Sequence, residues 1–374
     1  MPPALLSSDA LLLAQFGRNI RLDLRTNVLL FSVMAILLIA YIVGRFLRRQ
    51  PESTANPAVV RTFNLRVRAW AMMFAILIAG FLFGYVATVV LFALVSFWAL
   101  REFITMTPTR RGDHRTLFWT FFLFTPLQYF LIGVGHEFYG FYTIMIPVYA
   151  SLFIPARIAI SGDPKRFLER VAKIQAALLI CVYALSHAPA MLDLELQTAD
   201  GQPWVLGAPE EPAKADAEEP APPPAIGAAE PPNVEEQLGS NAGLLFFFVL
   251  LVQLNDVFQY MWSQLLGRHV IAPQINASRT WEGFVGGVLS TMLAGMLLYW
   301  ATPFGFWAGP IAGVIAVAGF AGSMTMSGIK RDRGVKDYGT LVSGHAGVLD
   351  RIDSICFAAP VFFHITRFFF SNIG

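Results

Sequence analysis

The chain has 374 residues, of which 56% are hydrophobic and only 14% are charged, and its formal net charge is +2 at neutral pH. Such a composition excludes an ordinary soluble domain, and apolar runs of about 18 or more residues recur along the chain. No basic stripe with interleaved aromatic residues lies outside the membrane loops, so we expect no nucleic-acid partner. We predict an all-α, polytopic helical membrane protein with about ten transmembrane helices.

Residues 27–190 form the predicted N-terminal group of transmembrane helices. Residues 1–26 precede them, and their mixture of apolar and charged side chains leaves open an interfacial helix or a frayed end. Residues 69–100 would make a single helix of about 45 Å, longer than a hydrocarbon core of about 30 Å, so we predict a hairpin of two short spans turning near Gly80 to Gly84. The other predicted spans are 27–44, 116–134, 138–155 and 174–190.

Arginine and lysine residues cluster between these spans, at 45–49, 101–115 and 157–173. Basic loops stay on the cytoplasmic side of a membrane, so we place these loops in the cytoplasm and the N-terminus outside. Residues 191–240 are different, because they are rich in Pro, Ala and Glu and contain Lys214 as their only basic residue. We predict that they form a disordered acidic linker on the non-cytoplasmic side.

Residues 241–374 form the predicted C-terminal region, with spans at 243–260, 281–300, 309–323 and 348–370. The polar pair Asn255 and Asp256 lies inside the first of these apolar spans, where it is costly to bury. Two explanations remain open for this pair. It serves a functional site, or it forms hydrogen bonds between helices.

The densest cluster of charged residues runs from Ser327 to Ser354, between two apolar segments. Asp350 and Asp353 are three positions apart, a spacing that puts both carboxylates on one face of a helix. With Asp337 in the preceding loop, they make a candidate site for a hard cation, and the neighbouring Lys and Arg residues suit the phosphates that such a cation bridges. The alternative is an ordinary basic cytoplasmic loop.

This stretch resembles the signature of the CDP-diacylglycerol synthase (phosphatidate cytidylyltransferase) family. The matching positions are Ser327, Lys330, Arg331, Lys336, Asp337, Gly339, Ser343, His345, Gly347, Asp350, Arg351 and Asp353. The resemblance extends upstream to Asn255, Asp256 and the run from Ser278 to Gly283, where Arg279 replaces the usual Lys. Ala346 also departs from the family pattern, which usually has Gly there.

The resemblance implies transfer of a cytidylyl group from CTP to phosphatidic acid, giving CDP-diacylglycerol and diphosphate in phospholipid biosynthesis. It implies Mg²⁺ as the cofactor and leaves a second divalent or a monovalent cation open. The implied metal ligands are Asp256, Asp337, Asp350 and Asp353. The implied catalytic residues are Asp337, Lys336, Asp350 and His345. The implied phosphate-binding residues are Ser327, Lys330, Arg331, Arg351, Arg279 and Thr280.

We accordingly expect an enzyme of the bacterial inner membrane whose active site faces the cytoplasm, where CTP is present, with membrane lipids as partners and a homodimer left open. His345 has two readings, as a donor to a phosphate oxygen or as a cap of its own loop. Two other functions also remain open. One is a CTP-dependent lipid kinase, which would transfer the γ-phosphoryl group, and the other is a secondary transporter with intramembrane carboxylates.

Overall fold

The computed structural model describes residues 24–48, 57–107, 109–198, 241–335 and 347–371, together with residues 20, 22, 201 and 204. Within these residues the chain forms ten apolar helical segments. We label them α1 (Leu24–Leu47), α2 (Pro57–Leu82), α3 (Tyr85–Met106), α4 (Arg111–Val134), α5 (His136–Ala159), α6 (Phe167–Asp193), α7 (Ala242–Leu266), α8 (Trp281–Leu297), α9 (Ala308–Asp332) and α10 (Leu349–Phe370).

Eight of these segments are long and apolar enough to cross a membrane, and the apolar parts of α2 and α8, Val67–Leu82 and Trp281–Leu297, are shorter. The protein is therefore a polytopic helical membrane protein, as predicted. The predicted turn between α2 and α3 is also confirmed, since Gly84 adopts a φ of 95° there. This positive φ suits glycine because no Cβ clashes with the backbone.

Segments α4, α5 and α6 are not uniform α-helices. Each contains a stretch of wider π-helix in its middle, at Thr120–Phe124, Met145–Ala150 and Leu179–Ala184. Three short 3-10 turns begin or end them, at Arg111–Asp113, His136–Phe138 and Met191–Asp193. Further 3-10 turns, Tyr299–Ala301 and Gly305–Trp307, connect α8 to α9.

The first half of α7 lies at the centre of the protein. Every residue from Ala242 to Gln253 is buried, and this stretch is hydrophobic on all sides, as expected for a helix surrounded by others. Helix α7 packs against α8, α9 and α10. Glycine permits the close approach of α7 and α8. A Cβ at Gly286 of α8 would clash with the Trp262 ring of α7, at a distance of 2.5 Å.

A short antiparallel hairpin follows α7 and leads into α8. Its strands are β1 (Val270–Ala272) and β2 (Asn276–Thr280), with Val270 opposite Thr280. The Thr280 hydroxyl accepts a hydrogen bond from the Gly283 N–H at 3.1 Å and so caps the start of α8. The sequence analysis did not predict this hairpin, which positions the residues between α7 and α8.

The structure also revises two boundaries. Helix α9 continues to Asp332, so Lys330 and Arg331 lie on a helix rather than on a loop. Residues 191–198 do not belong to a linker, because Met191, Leu194 and Leu196 are buried and Leu196 pairs with Ser371 beyond α10. Most of the remaining predicted linker, including 205–240, lies outside the described residues.

Candidate active site

A polar cavity of about 250 Å³ lies where α2, α7, β2 and α10 meet. Four of the residues predicted to bind metal or phosphate line it, namely Asp256, Arg279, Asp350 and Arg351. The remaining lining residues are Trp70, Gln253, Val257, Tyr260, Asn276 and Ser278. Helix packing therefore brings acidic and basic groups from separate segments to one cavity.

Asp256 is held by residues from two other elements. An Arg279 guanidinium nitrogen donates to Asp256 Oδ1 at 2.9 Å, and the same guanidinium donates to Gln259 Oε1 at 2.6 Å. The Ser354 hydroxyl lies 2.9 Å from Asp256 Oδ2 and 3.3 Å from Asp353 Oδ1, so its proton can be donated to either carboxylate. Ser354 thus makes Asp256 and Asp353 close neighbours, although Asp353 itself does not line the cavity.

Asn255, the other member of the polar pair, has a structural role. Its side-chain amide donates to the Ala316 carbonyl at 3.0 Å, and its oxygen accepts from Gln259 at 3.0 Å. Asn255 is fully buried. Hydrogen bonding between helices therefore accounts for Asn255, whereas Asp256 faces the cavity.

Asp350 forms an ion pair with Lys330, whose ammonium nitrogen lies 2.8 Å from Asp350 Oδ1. Both side chains are largely buried, with 14% of Lys330 and 10% of Asp350 exposed. This pair joins the end of α9 to the start of α10. Burial of a charge without a partner is costly, so this pairing favours the observed contact between the two helices.

The other predicted phosphate-binding residues are placed differently. Arg331 is exposed and donates to the Ile275 carbonyl in the hairpin at 3.1 Å. The Ser327 hydroxyl donates to the Ser323 carbonyl at 2.7 Å, and Asn276 donates to it at 3.3 Å. Thr280 is buried and its hydroxyl is engaged in capping α8, so the structure gives Thr280 a positioning role rather than a place at the cavity.

Arg351 stands between two cavities. A second, apolar cavity of about 220 Å³ lies between α2, α3, α7 and α10, and Trp70, Gln253 and Arg351 line both cavities. Within the described residues, the Arg351 guanidinium forms no ion pair. A cation at the boundary between a polar and an apolar cavity suits the charged head of an amphipathic molecule.

Several residues at or beside the cavity were not identified from the sequence. Gln259 is three positions after Asp256 and shares its helix face, a spacing that could have identified it. Trp70 and Ser354 have no such local signal. Lys336, Asp337 and His345, the remaining predicted site residues, lie outside the described residues.

The polar cavity supplies some, but not all, of the ligands that a divalent cation needs. Asp256 and Asp350 both present carboxylates to the cavity, and carboxylate oxygens are preferred ligands of Mg²⁺. Among the residues that the structure describes, no three acidic, His or Cys side chains come together as a metal site. A third protein carboxylate would therefore have to come from elsewhere in the chain, as the sequence predicted for Asp337.

The chain is similar to several known proteins. The YnbB protein of Escherichia coli (strain K12), which is uncharacterized, is 32% identical over 345 residues, covering 91% of this chain and 97% of YnbB. The phosphatidate cytidylyltransferase of Mycobacterium bovis is 36% identical over 121 residues, or 31% of this chain and 39% of that protein. That of Staphylococcus aureus (strain COL) is 32% identical over 120 residues, or 31% of this chain and 46% of that protein.

The sequence model of the cytidylyltransferase family matches residues 64–369. This range includes helices α3 to α9, nearly all of α10 and every residue that lines the polar cavity. This match covers most of the chain, whereas the two named enzymes share less than half of their own length with it. The chain belongs to the cytidylyltransferase family.

Proposed function

We propose that this protein is a phosphatidate cytidylyltransferase, which converts CTP and phosphatidate to CDP-diacylglycerol and diphosphate. The observation that carries the proposal is the meeting of a polar, charged cavity with an apolar one at Arg351. One substrate is a highly charged nucleotide and the other a lipid phosphate. An enzyme that joins them needs both environments side by side.

The apolar cavity supports a lipid substrate. Its wall includes Met73, Leu77, Phe92 and Ile355, and Arg351 is its single charged lining residue. Acyl chains gain free energy when they are buried against such side chains. The lipid phosphate would then lie at Arg351, whose planar guanidinium can donate two parallel hydrogen bonds to phosphate oxygens.

In the proposed reaction a phosphatidate oxygen attacks the α-phosphorus of CTP. A new P–O bond forms, the bond between the α-phosphorus and the bridging oxygen breaks, and diphosphate leaves with the electron pair. Proton transfer plays little part, so the protein contributes mainly alignment and charge stabilisation. Arg351 would hold the lipid phosphate, while Lys330 and Arg279 hold the carboxylates of Asp350 and Asp256 in place.

Asp256 and Asp350 would hold Mg²⁺ together with Asp337, and Asp353 would support Asp256 through Ser354. When bound, such an ion neutralises phosphate charge and draws the two substrates together. Lys336 and His345 are proposed to donate to phosphate oxygens. We place the site on the cytoplasmic side of the membrane, because the stretch from Ser327 to Ser354 is rich in Lys and Arg and basic loops stay on that side.

Purified protein in detergent, supplied with α-labelled CTP, Mg²⁺ and a panel of lipid phosphates, tests this proposal. We expect a labelled liponucleotide and equimolar diphosphate, with phosphatidate as the preferred acceptor. Release of labelled CDP with phosphorylated lipid would indicate a kinase instead. Absence of turnover with every lipid would favour transport, and preference for another lipid phosphate would replace phosphatidate as the substrate.

A further inference from the structure

A third cavity lies away from the candidate active site, between the end of α1 and the start of α2. Its volume is about 460 Å³, and it is lined by Tyr41, Arg45, Arg48, Asn64 and Arg68. None of these residues lines either cavity described above. The Asn64 amide donates to the Gly44 carbonyl at 3.0 Å and so ties the two helices together beside the cavity.

The three arginines give this cavity a concentrated positive charge. Within the described residues, none of their guanidinium groups forms an ion pair. Counter-charge is also scarce in the sequence, because residues 41–68 contain six arginines and a single acidic residue, Glu52. Ordinary topology determinants need only lie in the loop, whereas these side chains come from two helices and line one cavity. An anionic ligand would relieve their mutual repulsion.

The two helices that line the cavity also carry exposed apolar side chains. Ile42 and Phe46 of α1 are 57% and 61% exposed, and Leu65 of α2 is 52% exposed. In a membrane-spanning protein such apolar side chains contact acyl chains. A ligand that places a phosphate among the arginines and its hydrocarbon along these helices would satisfy both surfaces.

We infer that this cavity, which we call the α1–α2 basic pocket, binds the phosphate headgroup of an anionic membrane phospholipid. Basic pockets between transmembrane helices on the cytoplasmic side attract such headgroups. The guanidinium groups would donate hydrogen bonds to the phosphate oxygens. The hydroxyl of Tyr41, which also lines the pocket, would be a further donor. This binding site is separate from the proposed reaction and does not depend on it.

The test is the binding of tail-labelled phosphatidylglycerol to the purified full-length protein in detergent, followed by fluorescence anisotropy. Arg45→Gln/Arg68→Gln should weaken binding by about tenfold or more, since each arginine near an anionic lipid contributes about a fivefold factor. The matched control is Arg111→Gln/Arg115→Gln, which removes the same charge from exposed positions at the same end of the helix bundle. This control should bind as wild type does.

Three further arms identify the ligand and the site. Unlabelled phosphatidylglycerol should displace the probe, whereas phosphatidylcholine and inorganic phosphate should not. Arg351→Gln should leave binding unchanged, because Arg351 belongs to the other cavities. Arg48 is exposed and directly follows α1. Arg48→Gln should weaken binding by about fivefold, and this single variant is the test if the double variant does not fold.

Equal loss of binding in the two double variants would overturn the inference, because it would indicate general surface charge. Displacement by inorganic phosphate would assign the pocket to a free anion instead of a lipid. Loss of binding in Arg351→Gln alone would place the probe in the active site. Unchanged binding in both Arg48→Gln and Arg45→Gln/Arg68→Gln would also refute the inference that the α1–α2 basic pocket binds the lipid.

Discussion

The Glu102 carboxylate of α3 accepts a hydrogen bond of 2.8 Å from the backbone N–H of Leu349, which is 247 positions later at the start of α10. The same carboxylate accepts from the Val348 N–H at 3.1 Å and from the Trp98 indole at 3.0 Å. A negative charge at a helix N-terminus satisfies unpaired N–H groups and interacts favourably with the helix dipole. Glu102 therefore fixes the end of α10 that carries Asp350 and Arg351.

Replacing Glu102 with Ala should destabilise the protein and reduce turnover together. The two N–H groups at the start of α10 would lose their acceptor, at a cost of about 1–3 kcal/mol in the free energy of unfolding. Thermal unfolding in detergent and the liponucleotide assay measure the two effects. Glu137→Ala, at an exposed acidic position on the opposite side, is the control and should change neither. A stable Glu102→Ala variant with full activity would contradict this role.

Asp350→Asn should lower turnover by about a hundredfold or more, while the helices stay assembled, because a preorganised charge at the cavity is removed. Its matched control is Asp332→Asn, since Asp332 is 67% exposed and pairs only with its neighbour Arg333 among the described residues. Turnover rates with saturating CTP and phosphatidate provide the comparison. Equal rates for the two variants would remove Asp350 from the proposed site.

Arg351→Gln should raise the KM for phosphatidate by about tenfold and leave the KM for CTP nearly unchanged. The loss follows from the two charge-assisted hydrogen bonds that a guanidinium can make to one phosphate. Arg351→Lys keeps the positive charge but lacks the planar guanidinium, so its KM for phosphatidate should lie between those of the wild type and Arg351→Gln. An increase in the KM for CTP instead would assign Arg351 to the nucleotide.

Asp337→Asn should abolish turnover while leaving membrane insertion intact, since we propose Asp337 as a metal ligand. Raising the Mg²⁺ concentration should not restore the rate. Wild-type activity at saturating Mg²⁺ would rule out the assignment. Membrane extraction and size-exclusion profiles serve as the check on folding.

The ion pair between Arg170 and Asp113 should stabilise the contact between the first turns of α4 and α6. Both side chains are almost fully buried, with Arg170 Nε 2.8 Å from Asp113 Oδ1. Asp113→Asn should lower the free energy of unfolding by about 1.5–3 kcal/mol because it removes the charged acceptor nearest the buried guanidinium. Asp163 Oδ2 remains 3.5 Å from that guanidinium. Asp163→Asn alters the exposed member of the same network and should have a much smaller effect. Chemical denaturation in detergent distinguishes them.

The same network gives a pH dependence with a defined sign. The Arg110 guanidinium, helped by the Lys165 N–H, lowers the pKa of Asp163 below its usual value of 3.8. A lowered pKa in the folded state means that the stabilisation is present above pH 3.8 and is lost as the pH falls through the folded-state pKa. Asp163→Asn should therefore flatten the acid limb of the stability curve, and an unchanged curve would contradict this.

The sequence by itself predicted the membrane-spanning helices and the charged residues of the candidate site. Apolar runs predict the membrane-spanning segments because hydrocarbon selects for consecutive apolar residues. The turn near Gly80 to Gly84 followed from the length of one such run and from the basic residues at both of its ends. The charged stretch from Ser327 to Ser354 likewise identified Lys330, Asp350 and Arg351, because charged groups are unexpected at a membrane segment.

Only the tertiary structure decided which of these groups meet. Asn255 and Asp256 are adjacent in sequence, yet the packing of α7 turns one toward α9 and the other toward Arg279. The contacts of Glu102 with α10 and of Trp70 with two cavities depend on how distant helices pack. Hydropathy and charge are properties of neighbouring residues, whereas such contacts arise from shape and close packing between helices far apart in the chain.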